Sequence, residues 1–342
     1  MTTGFKQILI TCLVVITAIP LTGEVFAQVE ETAETAVVEV DNQAEVTSIW
    51  YKSERISGNI EVGDFVVGPG KREMELNPGD TFVTEISVTN RISPNRTFKL
   101  EVEDITGSSD GSSAVSLTGK ERGPYSIRDY VSFPSDTFTL DLGERARIPV
   151  TITIPKDAEP GGYYGSVLVS TIQNSIAEEE LAPHSPIIAR VGSLIFLKVK
   201  GDSLTAGKTL SLTTIGDTWW YEKGPIQLGI LFENTGSVHV NPYGEVAVTN
   251  MLGEEVGWVE LEPWFVLPGS LRLREIAWDR EFLLGRYTAT AKVNRGYDNI
   301  IDEVSVSFWV LPWKIVGGTF LIIFIIIFSI RAFFRTFEFK RK

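Results

Sequence analysis

The chain has 342 residues, 31 Lys and Arg against 44 Asp and Glu, two histidines and one cysteine, Cys12. That length holds two ordinary domains plus targeting segments. Between Gln28 and Pro312 the net charge is -18, a surface that stays soluble and repels polyanions, so nucleic acid is excluded as a partner.

At the N-terminus, Lys6 precedes the apolar run from Ile8 to Ile19, Pro20 ends it, and Val25-Phe26-Ala27 offers small residues for cleavage before Gln28. This pattern predicts a secretory signal peptide over 1–27. Twelve helical residues reach only about 18 Å, short of the roughly 30 Å of a bilayer core. Leu9 to Cys12 superficially resembles a lipobox, but leaves almost no apolar region ahead of the cysteine. With Cys12 removed on export, the mature chain has no disulfide. An acidic, disordered spacer follows over 28–47, with Glu30, Glu31, Glu34, Glu39, Asp41 and Glu45 and no Lys or Arg.

From Ile60 the texture changes to short alternating runs bounded by Gly, Pro and Asn. Period two with β-branched residues predicts half-buried strands over 81–89, 97–102, 146–154, 163–172, 187–200, 226–233, 245–249, 271–278 and 287–293. No stretch between the two ends keeps a helical period, which predicts an all-β fold of two tandem Ig-like β-sandwich domains, 48–201 and 202–310, plus one C-terminal transmembrane helix. The halves echo one another: Phe138 to Gly143 and then Pro160 to Tyr163 is matched by Phe265 to Gly269 and then Leu284 to Tyr287. In each, a glycine shortly before a tyrosine at a strand entrance fits a tyrosine corner, which assigns Tyr163 and Tyr287 a structural role.

The segment 311–331 is apolar except for Lys314 near its start and Arg331 at its end, long enough for a single span, and 332–342 is a short basic tail. Trp309, Trp313 and Lys314 are placed to anchor the outer interface, and Arg331 and Arg335 the inner one. That polarity puts the ectodomain outside and the tail in the cytoplasm. The sortase signal is not met, since Leu311-Pro312 is followed by Trp-Lys-Ile, so the helix is a permanent anchor.

Catalytic chemistry is thinly supplied. His184 and His239 each lack a second histidine at ligand spacing, and no cofactor, zinc or other metal site is expected. Gly107 to Gly111 formally satisfies G-x-S-x-G, yet a Ser-rich loop surrounds it where a nucleophile elbow needs a strand and a helix. Asp104 and Asp110 raise the question of a calcium loop without its dense carboxylates. Trp219, Trp220 and Tyr221 lie in or beside a turn, where flat rings can stack on a sugar or protein surface. Core packing is the stronger expectation for them, because consecutive residues on a strand face both ways.

Phe65 to Gly70, Leu76 to Asp80, Val88-Thr89-Asn90, Ile152 to Gly165 and Ala189 to Gly192 together resemble the DUF916 family, the peptidoglycan-binding region of bacterial WxL-interacting proteins. The resemblance covers about 60–201, and the order of parts is similar too. It implies that the first domain binds peptidoglycan and that the second contacts a partner, a secreted surface protein or a glycan. The expectation is therefore a non-enzymatic, membrane-anchored cell-surface protein. The alternatives are a chaperone-like assembly factor for secreted surface subunits and, last, a cell-wall hydrolase.

Overall fold

The computed structural model describes residues 50–58, 60–172 and 189–336; the expected signal peptide and spacer, the loop with His184 and the end of the tail lie outside the described residues. The first sandwich is built from β1 (Lys52–Arg55), β2 (Val66–Gly68), β3 (Lys71–Leu76), β4 (Thr81–Thr89), β5 (Arg96–Thr106), β6 (Ser116–Leu117), β7 (Val131–Ser132), β8 (Thr137–Leu140), β9 (Glu144–Thr153), β10 (Gly161–Thr171) and β11 (Arg190–Val199). One sheet runs β1-β9-β4-β2 with β7 on β9, and the other β3-β11-β10-β5 with β6 and β8 on β5. The alternation read in the sequence is what fills the space between them. Ile86 and Val88 of β4, Ile148, Val150 and Ile152 of β9, Phe98 and Leu100 of β5 and Val167 and Val169 of β10 all turn inward and are buried.

β10 is buried on both faces. Its second face is covered by the long connection between β5 and β8, in which Tyr125 accepts the Tyr164 N–H at 2.8 Å. The close approach requires Gly165, where a Cβ would collide with Ile127.

The second sandwich comprises β12 (Gly207–Thr214), β13 (Trp220–Tyr221), β14 (Ile226–Asn234), β15 (Tyr243–Asn250), β16 (Glu255–Leu261), β17 (Ser270–Trp278), β18 (Gly285–Asn294) and β19 (Ile301–Val310). Its sheets run β12-β14-β17 and β13-β19-β18-β15-β16, enclosing Phe232, Trp264, Trp278 and Phe308. After Leu311 and Pro312 the chain enters α1 (Trp313–Thr336). Apart from one short 3-10 turn at Arg128–Tyr130 it is the only helix among the described residues. The fold is all-β, two Ig-like sandwiches with one long apolar helix. α1 begins two residues later than the sequence predicts because Pro312 suits the residue just ahead of a helix. It also continues past Arg331 through Arg335, both good helix formers.

Candidate functional site: a sealed junction and an aromatic end

Two places stand out, and the first is where the sandwiches meet. Tyr164, early in β10, points out of its own core toward the second sandwich. Its hydroxyl accepts the backbone N–H of His239 at 2.6 Å and lies 3.0 Å from the same residue's Nδ1. Phe196 of β11 stands edge-on to Tyr164 and to Phe265, with centroids 5.3 and 4.9 Å away. Leu267 and Ile105 complete the buried cluster. Lys71 Nζ sits 5.4 and 5.1 Å above the rings of Phe196 and Phe265, and the Arg272 guanidinium 4.2 Å above Phe265, a cation–π arrangement that lets charged groups cap an apolar seam.

Backbone bonds stitch the same seam. Gly162 N–H donates to Ser237 O at 3.0 Å, Leu271 N–H to Ser108 O at 2.9 Å and Leu273 N–H to Gly111 O at 3.2 Å. The G-x-S-x-G loop is thus a short strand-like addition to the edge of β17. The Ser108 hydroxyl donates to the Asp110 carboxylate inside the loop. That bond and the Ser112 amide hold the Asp110 carboxyl down to about 2. The buried Asp104 carboxylate instead accepts N–H groups of Gly123 and Ile127, each at 3.2 Å. The two aspartates do not converge, and no cluster of three potential metal ligands occurs among the described residues.

His239 is held below its ordinary pKa chiefly by burial, with Lys71 and Lys198 acting the same way and Glu73 opposing them. Burial likewise raises the Tyr164 hydroxyl. Both are therefore neutral near pH 7. Together they form a packed latch across the seam. The sequence gives no sign of this site, since Tyr164 and His239 are 75 residues apart and His239 alternates with valines as an ordinary strand residue does.

The second place is the end of the second sandwich nearest α1. Trp219 is 69% exposed and Trp220 43%, against the expectation of core packing. Only Tyr221 turns inward, edge-on to Phe308 at 6.0 Å. The reason is that β13 is two residues long and lies on the sheet edge, pairing Trp220 with Trp309 of β19. Trp309 N–H donates to Trp219 O at 2.8 Å, and Leu311 N–H to Tyr221 O at 2.8 Å. Trp220 of the expected ligand platform and the expected membrane anchor Trp309 are therefore neighbours across one strand pair. Lys314 does not extend away; it pairs with Glu222 at 2.8 Å. Arg331 and Arg335 lie exposed at the far end of α1.

The two tyrosines at strand entrances bond to nearby backbone. Tyr163 donates to Glu159 O at 2.9 Å, and Tyr287 to Leu284 O at 3.2 Å.

No protein-family model and no curated protein sequence matches the chain. Among solved structures it is similar to the class 5 fimbriae chaperone CfaA, with 11% identity over 73% of this chain and 100% of that one and a TM-score of 0.36. It is also similar to the E. coli chaperone DraB, with 13% identity, 73% and 98% coverage and a TM-score of 0.32. The YadV chaperone shares 9% identity, with 72% and 100% coverage and a TM-score of 0.34. Scores this low carry no argument about function, and the sandwich fold stands on the strand pairing itself.

Proposed function

We propose that the chain is a non-enzymatic, single-pass surface protein that holds two locked sandwiches outside the membrane. The observation that carries this is α1: 24 residues, apolar, exposed along its described side chains except at half-buried Val316, and joined to β19 by two residues. An apolar helix with no covering partner has a bilayer as its natural solvent. Tryptophans at its near end and Arg331 and Arg335 at its far end support an outside ectodomain by the positive-inside rule, and the expected signal peptide would supply export.

The first sandwich, on the resemblance set out above, engages peptidoglycan; the second presents a contact to a partner protein or glycan. Several shared residues shape turns and strand ends, as Asn90 does by donating to Ser93 O and Leu140 O, so wall contact would fall on the surfaces those turns display. Residues 48 to 310 contain all the described strands and can be produced without α1. Mixed with isolated cell walls beside a known wall binder, this fragment is expected in the pellet. Its staying in the supernatant would overturn the wall-binding role.

One observation favours a second reading, strand-based assembly of secreted subunits. β16 ends its sheet with an unpaired edge among the described residues, and its Trp258 is 62% exposed, the kind of edge to which another chain's strand can add. A stoichiometric secreted partner crosslinked through β16 would support it, and gentle crosslinking that traps none would count against it.

A further inference from the structure

We infer that the base of the second sandwich is itself seated in the lipid: the loops beside α1 enter the outer leaflet, and acyl chains fill the groove between them and the helix. This rests on the reading of α1 as a membrane span.

Three loops end at this level, and each presents a bare apolar side chain: Trp219 at 69% exposure, Leu252 at 77% and Phe282 at 67%. Isolated apolar residues on a soluble surface are ordinary, but several from separate loops at one end form a patch that calls for a partner. Phe282 and Leu284 line an open groove whose other wall is α1, through Ile315, Val316, Phe320 and Ile323.

The helix fixes the depth. Its apolar segment, Trp313–Arg335, has 23 residues and is about 34 Å long, against a hydrocarbon core of about 30 Å. Little length is spare, so Trp313 lies near the edge of the core. Phe320 and Ile323 are then about 10 and about 15 Å further in. A groove bounded by those two residues and by Phe282 opens onto acyl chains. At the head of the helix, Lys314 is paired with Glu222 at 2.8 Å.

The occupant is taken to be lipid because the groove is continuous with a helix surface that is apolar on every side. A second copy of the chain would have to cover that surface as well. The consequence is an ectodomain whose tilt and height are fixed by four points of contact, where a bare two-residue linker would let it swing.

The test uses the full chain with Cys12→Ser, reconstituted into phosphatidylcholine–phosphatidylglycerol vesicles. Single cysteines replace Phe282, Leu252, Phe324 or Val62 and carry an environment-sensitive fluorophore, and the lipids carry a spin-labelled acyl chain as quencher. All four sites are exposed, so the labels displace no core. Phe324, in the middle of α1, reports whether the helix is in the bilayer; Val62, on the first sandwich, reports water. The expected result is blue-shifted emission and strong lipid quenching at Phe282 and Leu252, as at Phe324, with neither at Val62. Quenching at Phe324 with water-like emission at Phe282 and Leu252 would overturn the seating and leave the span standing. A blue shift at Phe282 without lipid quenching would mean a protein partner, such as a second copy, and would also overturn it. No quenching at Phe324 would remove the span and the seating together.

Discussion

The Tyr164 hydroxyl accepts the His239 N–H, so its own proton is free to go to Nδ1 at 3.0 Å. A proton on Nε2, the atom 3.6 Å from Glu73, leaves Nδ1 to accept from the hydroxyl and gives both ring nitrogens a partner. Tyr164→Phe leaves a buried N–H and a ring nitrogen without their partner, and is expected to cost about 1–3 kcal/mol, measured by urea unfolding. Protonating His239 would put a second proton where the hydroxyl already donates. Because burial holds the folded-state pKa below the unfolded value of about 6.5, the unfolded chain binds the proton more readily. The contribution to stability is therefore complete above about pH 6.5 and is lost as pH falls through the folded pKa. The lowered carboxyls, Asp80, Glu101, Asp110 and Asp302, act below about pH 5, where unfolded carboxylates titrate. Unfolding midpoints should thus decline from about pH 7 to about pH 5, and His239→Gln should flatten that decline. A slope unchanged by the substitution would show that His239 is not the group responsible.

At the scale of elements, the loop Gly107 to Gly111 depends on missing side chains. Gly111 has φ of +82°, and a Cβ there would come within 3.0 Å of Leu231 Cδ1 and 3.2 Å of the Leu273 amide nitrogen. Gly111→Ala is expected to cost about 1–3 kcal/mol from the left-handed backbone alone and to lift the loop from β17, read as faster proteolysis between β5 and β6. The residues of this loop spell a motif in the sequence, but its role is set by a strand more than 150 positions later, which local pattern cannot reveal.

Elsewhere the pattern suffices. β4 is legible to its ends, and β9, β14 and β17 nearly so, because one face of each is more buried than the other. β3 is not legible: four of its six residues are charged, and an edge strand that keeps charge loses its alternation. β13 is too short for any period, which is why the exposure of Trp219 and Trp220 runs against expectation.

At the scale of the molecule, the question is whether the two sandwiches behave as one body. Ile105, Tyr164, Phe196 and Leu267 are each no more than 2% exposed at the junction. At about 1.5–3 kcal/mol per fully buried large apolar side chain they contribute roughly 6–12 kcal/mol as an upper bound. That is comparable to the whole stability of a typical domain, about 5–15 kcal/mol. Unfolding one sandwich would expose this seam on the other, so neither should melt alone. Calorimetry of residues 48 to 310 is expected to give a single transition, with calorimetric and van't Hoff enthalpies equal. Combining Phe196→Ala with Leu267→Ala removes the two side chains that reach across from either sandwich, and should separate it into two. Two transitions in the unaltered protein would mean that the junction is a hinge. A single one would mean that the first sandwich is held at a fixed distance from the second, with force passed through Tyr164 and Phe196.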